Sequence, residues 1–154
     1  MKLRTLKVAL ITVFMGFMTS QAGIALAHNQ GGSFTTGLAA AVDFYSATCF
    51  DDGNGAPSYL EAQVKDMTAN TSKVNILVQK GTSCTTNKCA QFSMDAIDSD
   101  ATYSPLVRVT QGAGVYNLFV SHTAAGTDSY DVLLHCKTVG GVHTGTSTVS
   151  RQQQ

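Results

Sequence analysis

Tyr59-Leu60-Glu61-Ala62-Gln63-Val64-Lys65-Asp66 sets apolar Leu60, Ala62 and Val64 against polar Glu61, Gln63 and Lys65, a strict period of two. Successive side chains of a strand point to opposite faces, so this spacing predicts a strand with one dry face and one wet face, Glu61 on the wet one. The period returns along the chain. Val74, Ile76 and Val78 alternate with Asn75 and Gln79, and Phe92 and Met94 alternate with Gln91, Ser93 and Asp95. Tyr130, Val132, Leu134 and Cys136 share a face opposite Asp131, His135 and Lys137. Further strands are predicted over Asp43 to Phe50, Leu106 to Thr110 and Val115 to His122. Turn-forming clusters separate them: Asp51-Asp52-Gly53-Asn54-Gly55, Lys80-Gly81-Thr82, Gln111-Gly112-Ala113-Gly114 and Ala125-Gly126-Thr127-Asp128. Thr36 to Val42 is the single candidate helix, with Gly37 against it. About seven to eight short strands at this spacing predict an all-β fold, an antiparallel β-sandwich or barrel.

The stretch Met1 to Ala27 has the build of a signal peptide. Lys2, Arg4 and Lys7 form a positive start, Val8 to Met18 is apolar, and Ala25-Leu26-Ala27 offers small residues to a signal peptidase. The predicted mature start is His28. A cut after Ser20-Gln21-Ala22 is the other option, and it leaves an apolar start at Gly23. The apolar run is shorter than the roughly 20 residues that span a bilayer, which disfavours a retained anchor. Cleavage after Ala27 leaves 154 − 27 = 127 residues, one domain's worth of chain. Those residues carry seven Lys and Arg against ten Asp and Glu, a net of 7 − 10 = −3. That balance disfavours nucleic acid and anionic membrane surfaces as partners, since both want clustered positive charge. The expected location is secreted or periplasmic, with no membrane insertion after cleavage.

The four cysteines, Cys49, Cys84, Cys89 and Cys136, all follow the leader and would meet an oxidising compartment. Cys84 and Cys89 bracket the short polar loop Thr85-Thr86-Asn87-Lys88, which predicts one bridge between them and leaves Cys49 with Cys136. A zinc site wants two close ligand pairs, and only one exists here. Cys49 keeps register with Tyr45 and Ala47, as Cys136 does with Val132 and Leu134, so both are expected to point inward. Residues 28–139 then form the domain, and Gly140 to Gln154 is expected as a polar tail or an edge strand.

The order Asp43-Phe44-Tyr45, Leu60-Glu61-Ala62-Gln63-Val64, Val74-Asn75-Ile76-Leu77-Val78-Gln79-Lys80-Gly81, Ala113-Gly114-Val115-Tyr116-Asn117-Leu118-Phe119-Val120 and Ser129-Tyr130-Asp131-Val132-Leu133-Leu134 resembles the bacterial pre-peptidase C-terminal (PPC-like) domain. The resemblance covers roughly residues 40 to 137. It implies a small jelly-roll-like β-sandwich that accompanies secreted proteins as a non-catalytic appendage with binding or secretion roles. This sequence carries no peptidase beside it.

Candidate ligands for a metal begin with the histidines. A mature His28 would offer its α-amine with its ring, a chelate suited to copper(II), and His143 and then His122 are ranked to join it. A solvated terminal histidine left by processing is the competing reading. His135, sharing a face with Asp131 and Lys137, is expected as a surface residue. Met67 and Met94 are the only methionines after the leader, too few for a soft copper(I) site. Asp95, Asp98 and Asp100 place three carboxylates within six residues, a candidate calcium set, whereas Asp51-Asp52-Gly53-Asn54 reads as a polar turn. No nucleophile elbow, metalloprotease helix or phosphate loop occurs, so no catalytic residue is assigned and a non-enzyme is expected. The absence of Trp removes the usual stacking platform for sugars, and Tyr59, Tyr103 and Tyr116 are candidates to serve in part. The expected role is binding or assembly at the cell surface or in the periplasm, with a surface protein or a second copy as partner. The segment His28 to Thr36 is a candidate for pairing along a neighbour's edge.

Overall fold

The computed structural model describes residues 28–81 and 89–154. Among the described residues there are nine strands and no helix. They are β1 (His28–Phe34), β2 (Val42–Phe50), β3 (Tyr59–Asp66), β4 (Val74–Gln79), β5 (Ala90–Met94), β6 (Val107–Val109), β7 (Gly114–His122), β8 (Asp128–Lys137) and β9 (His143–Gln152). Every pairing is antiparallel, in the order β5-β4-β7-β2-β9-β8-β3-β6, with β1 also on β8.

Two faces wrap one core. β1, β8, β3 and β6 form one side, and β2, β7, β4 and β5 the other. β9 belongs to both, because His143 and Thr144 pair with Lys137 and Cys136 while the chain from Gly145 pairs with β2. On the opposite side β5 approaches the chain before β6, where Ser93 Oγ donates 2.6 Å to the Pro105 carbonyl. The result is a nearly closed, barrel-like sheet. Leu60, Ala62 and Val64 face inward as their spacing predicts, together with Val74, Ile76, Val78, Val132 and Leu134. Full burial of each large aliphatic among them stabilises the fold by about 1.5–3 kcal/mol.

The bridge between Cys49 and Cys136 is present, with Cα atoms 5.5 Å apart across 87 positions of sequence. Both cysteines are buried. Cys49 faces Thr146 and Cys136 faces Thr144, so the bridge closes the core beneath the point where β9 passes from one side to the other. The second expected bridge has one end, Cys84, outside the described residues. Its partner position, Cys89, is buried, and no described cysteine is free.

Several expectations are corrected. Phe92 and Met94 keep the predicted alternation but point outward, and Ser93 and Asp95 take the inner face. The inner positions are polar because they serve the backbone: Ser93 reaches Pro105, and Asp95 Oδ2 accepts from the Asp66 amide at 2.8 Å. Glu61, expected on a wet face, is only 3% exposed, covered by Lys137 and Arg108. Residues 36–42 form no helix; Gly37 at φ 66° turns the chain, and the Ala41 amide bonds back to Leu38. Gly140 to Gln154, expected as a tail or an edge, supplies the interior strand β9, whose β-branched Thr and Val suit a pleated ladder. His28 to Phe34, expected as an arm for a neighbour, lies along this chain's own β8.

Candidate functional site

The aliphatic alternation that fills the core leaves a second set of apolar side chains outside. On the outer face of the β2, β7, β4, β5 side, cross-strand register aligns Phe44 with Phe119, Phe119 with Leu77, and Leu77 with Phe92. Residues directly opposite on neighbouring strands have Cβ atoms about 4.5–5.5 Å apart, so these four side chains make one continuous row. Phe44 and Phe119 stack with centroids 4.8 Å apart. Phe92 is 60% exposed and Leu77 37% exposed, and Met94 extends the apolar edge of the row. Flanking rows are polar: Asn75 with Ser121 on one side, and Gln79 with Asn117 on the other, the latter running on to Ser46, whose hydroxyl accepts from Arg151 Nε at 3.1 Å. Ser121 Oγ donates 2.6 Å to Asn75 Oδ1, which holds that flank in place.

The opposite outer face is charged. Glu61 accepts from Arg108 and forms a 2.6 Å ion pair with Lys137, and Arg108 lies 4.1 Å above the Tyr59 ring. Burial raises the Glu61 pKa, but the hydrogen bonds from Lys137 and Arg108 outweigh it and hold the carboxyl below its ordinary value. Tyr103 donates 2.5 Å to Asp131 and lies under Lys65; burial and that carboxylate push its hydroxyl up to about 12. Tyr116 is buried with its hydroxyl donating to the Gly112 carbonyl, so it offers no platform to a sugar.

At one end of the body lies a buried polar network. Tyr45 and Tyr130 hydroxyls meet at 2.6 Å, and Tyr130 donates 2.5 Å to Asp43. Burial, with the Asp43 carboxylate beside it, carries the Tyr130 hydroxyl far above its ordinary value. Gly32 of β1 covers the pair so closely that an added Cβ would stand 2.3 Å from the Tyr130 oxygen.

His122 and His143, two of the three predicted metal residues, lie at opposite ends of β8. His122, at the end of β7, is buried, with Nδ1 2.6 Å from Asp128 Oδ2 and Nε2 2.7 Å from the Leu38 carbonyl. Phe34 stacks on its ring at 4.5 Å. Both nitrogens are thus engaged, and the His122–Asp128 pair has a carbonyl where a catalytic dyad needs a nucleophile. His143 begins β9 at the other end of β8 from Asp128, away from His122. What lies against His143 is His135, with ring centroids 4.5 Å apart at 64°. The signal that could have found this pair is the hairpin itself, since the turn between Lys137 and His143 brings the two strands' ends side by side. The backbone of His28 pairs opposite Leu134; its side chain lies outside the described residues.

The calcium set does not converge either. Asp95 accepts from the Asp66 and Ile97 amides, Asp100 from the Thr102 amide, and Asp98 pairs with Lys73 Nζ at 2.5 Å. Among the described residues no three His, Cys, Asp or Glu side chains surround a common point. One buried carboxylate stands apart. Asp66 Oδ1 accepts from the Thr68 amide at 3.0 Å, while Oδ2 has no partner. Burial, with Asp128 and Asp98 nearby, raises its pKa.

Neither a protein-family model, nor a curated protein, nor a solved structure matches this chain.

Proposed function

We propose that this chain is an exported, non-catalytic β-sandwich protein, jelly-roll-like in the manner of the PPC-like domain, that works by assembly at the cell surface or in the periplasm. The observation that carries the reading is the row Phe44, Phe119, Leu77 and Phe92 on an outer sheet face. A contiguous exposed apolar row with polar rims has the make-up of a protein interaction surface. The occupant proposed is a second copy of the chain. Asn75, Ser121, Gln79 and Asn117 beside the row bring no charge to the middle of such a contact, and the cation Arg151, on Ser46, stands at the end of a flanking row, which supports a self-complementary contact.

Sedimentation velocity over a range of concentrations tests this. The expected result is reversible association that Phe92→Lys or Leu77→Lys weakens by at least about tenfold, the order of one lost apolar anchor. A wild-type protein that stays monomeric throughout, or association indifferent to both substitutions, overturns the assembly reading.

A further inference from the structure

The geometry points to a metal site on the β8–β9 hairpin, built by His135 and His143 for a late first-row divalent ion, copper(II) foremost, and completed by the amino terminus at His28. It lies on a different face from the apolar row and does not depend on assembly.

The two rings come from neighbouring antiparallel strands. Lys137 is opposite His143, and His135 is two residues before Lys137 on the same face, so the histidines are diagonal cross-strand neighbours. Both are half-buried, held by the ladder rather than waving in solvent. Two imidazoles sharing one metal at nitrogen distances of about 2.0–2.1 Å, with about 90–110° at the ion, hold their ring centres about 4.5–5.2 Å apart. The observed separation is 4.5 Å, with the rings inclined by 64°. The separation of the two rings is thus the one that sharing a single ion requires.

Charge around the pair is balanced. Lys137 stands opposite His143, but its ammonium is paired with Glu61, itself opposite His135 and also bonded to Arg108. Imidazole nitrogen suits copper, nickel and zinc, and copper(II) binds most tightly of the three at a given nitrogen site. β1 supplies the third donor. It starts at His28 opposite Leu134, on the same edge of β8 that receives the start of β9 at Cys136 and Lys137. Removal of residues 1–27 would expose an α-amine at that place, so this donor rests on the export reading.

Copper(II) alone, titrated into the exported, processed chain, tests the site, with affinity and nitrogen hyperfine coupling as readouts. One ion per chain is expected. His135→Ala and His143→Ala should each weaken binding by at least tenfold, and the double variant should lose the coupling from both rings, with unchanged near-ultraviolet dichroism showing an intact fold. An added N-terminal Gly should weaken binding as well. A double variant that binds as the wild type does overturns the site, and an extension without effect removes the amine from the ligand set. Sedimentation behaviour is expected to stay the same in all these variants, which separates this outcome from that of the assembly proposal.

Discussion

Asp66→Asn is expected to make the protein more stable at neutral pH. Asp66 is fully buried, its Oδ1 takes the Thr68 amide, and its Oδ2 completes no hydrogen bond, the Val74 amide nearby offsetting only part of the burial cost. Asp98 Oδ1 is likewise buried without a hydrogen bond, although Lys73 reaches it as an ion pair. An asparagine keeps the acceptor for Thr68 and replaces an uncompensated charge by an amide that can donate. Leaving a buried polar atom unsatisfied costs about 1–3 kcal/mol, so the gain should be of that order. The pH dependence has a definite sign. Burial first, then Asp128 and Asp98, raise the folded-state pKa of Asp66 above the ordinary 3.8. The folded chain therefore holds this proton more firmly than the unfolded chain, and wild-type stability falls as pH rises from 3.8 through the folded value. Asparagine removes that fall. Urea unfolding from pH 3 to pH 8 should show the advantage of the variant growing across this window and then levelling, with the midpoint shifted and the slope unchanged. A variant less stable than wild type at pH 7, or a difference that ignores pH, refutes the reasoning.

Three further outcomes are expected. Replacing Cys49 and Cys136 by Ser together should cost about 4–5 kcal/mol, from the loop of 87 positions that the bridge closes, read as a lowered urea midpoint without reductant. Gly32→Ala should drive β1 off β8, because its Cβ would overlap the Tyr130 and Tyr45 hydroxyls; hydrogen exchange should show lost protection at residues 28–34 while β4 and β7 stay protected. On the acid side, Asp128 and Glu61 both have lowered pKa values: burial raises each, but hydrogen bonds from Asn70 and His122 to Asp128, and from Lys137 and Arg108 to Glu61, prevail. Their contributions are present above the unfolded carboxylate values and are lost as pH falls through the folded ones, so Glu61→Gln should flatten the acid limb of the stability curve.

The strands were legible because alternation of Leu, Val, Ile and Ala reports burial directly, and Cys49 and Cys136 could be placed inward from the same register. Faces were harder to read where polar residues serve the backbone. Ser93 and Asp95 are inside because each satisfies a main-chain group, which turns Phe92 outward and creates the row that no hydropathy pattern separates from core. β1, with Gly31, Gly32 and no alternation, is bound by its ladder, by buried Phe34 and by the Asn29 side-chain amide donating to Asp131. His135 and His143 were visible singly, but their contact depends on a hairpin whose second strand reads as a polar tail. His122 misled because a strand-end histidine looks solvent-facing until the Leu38 loop and Phe34 fold over it.

The position of β9 governs the order in which this body can be completed. A chain emerging from a ribosome delivers β2 early and β9 after every other strand described, yet β9 is the piece that seats between β2 and β8. Until it arrives, Cys49 and Cys136 have no strand beneath which to meet, and the two halves remain ajar. Closure of the body therefore waits for the strand that lies farthest along the chain among those described.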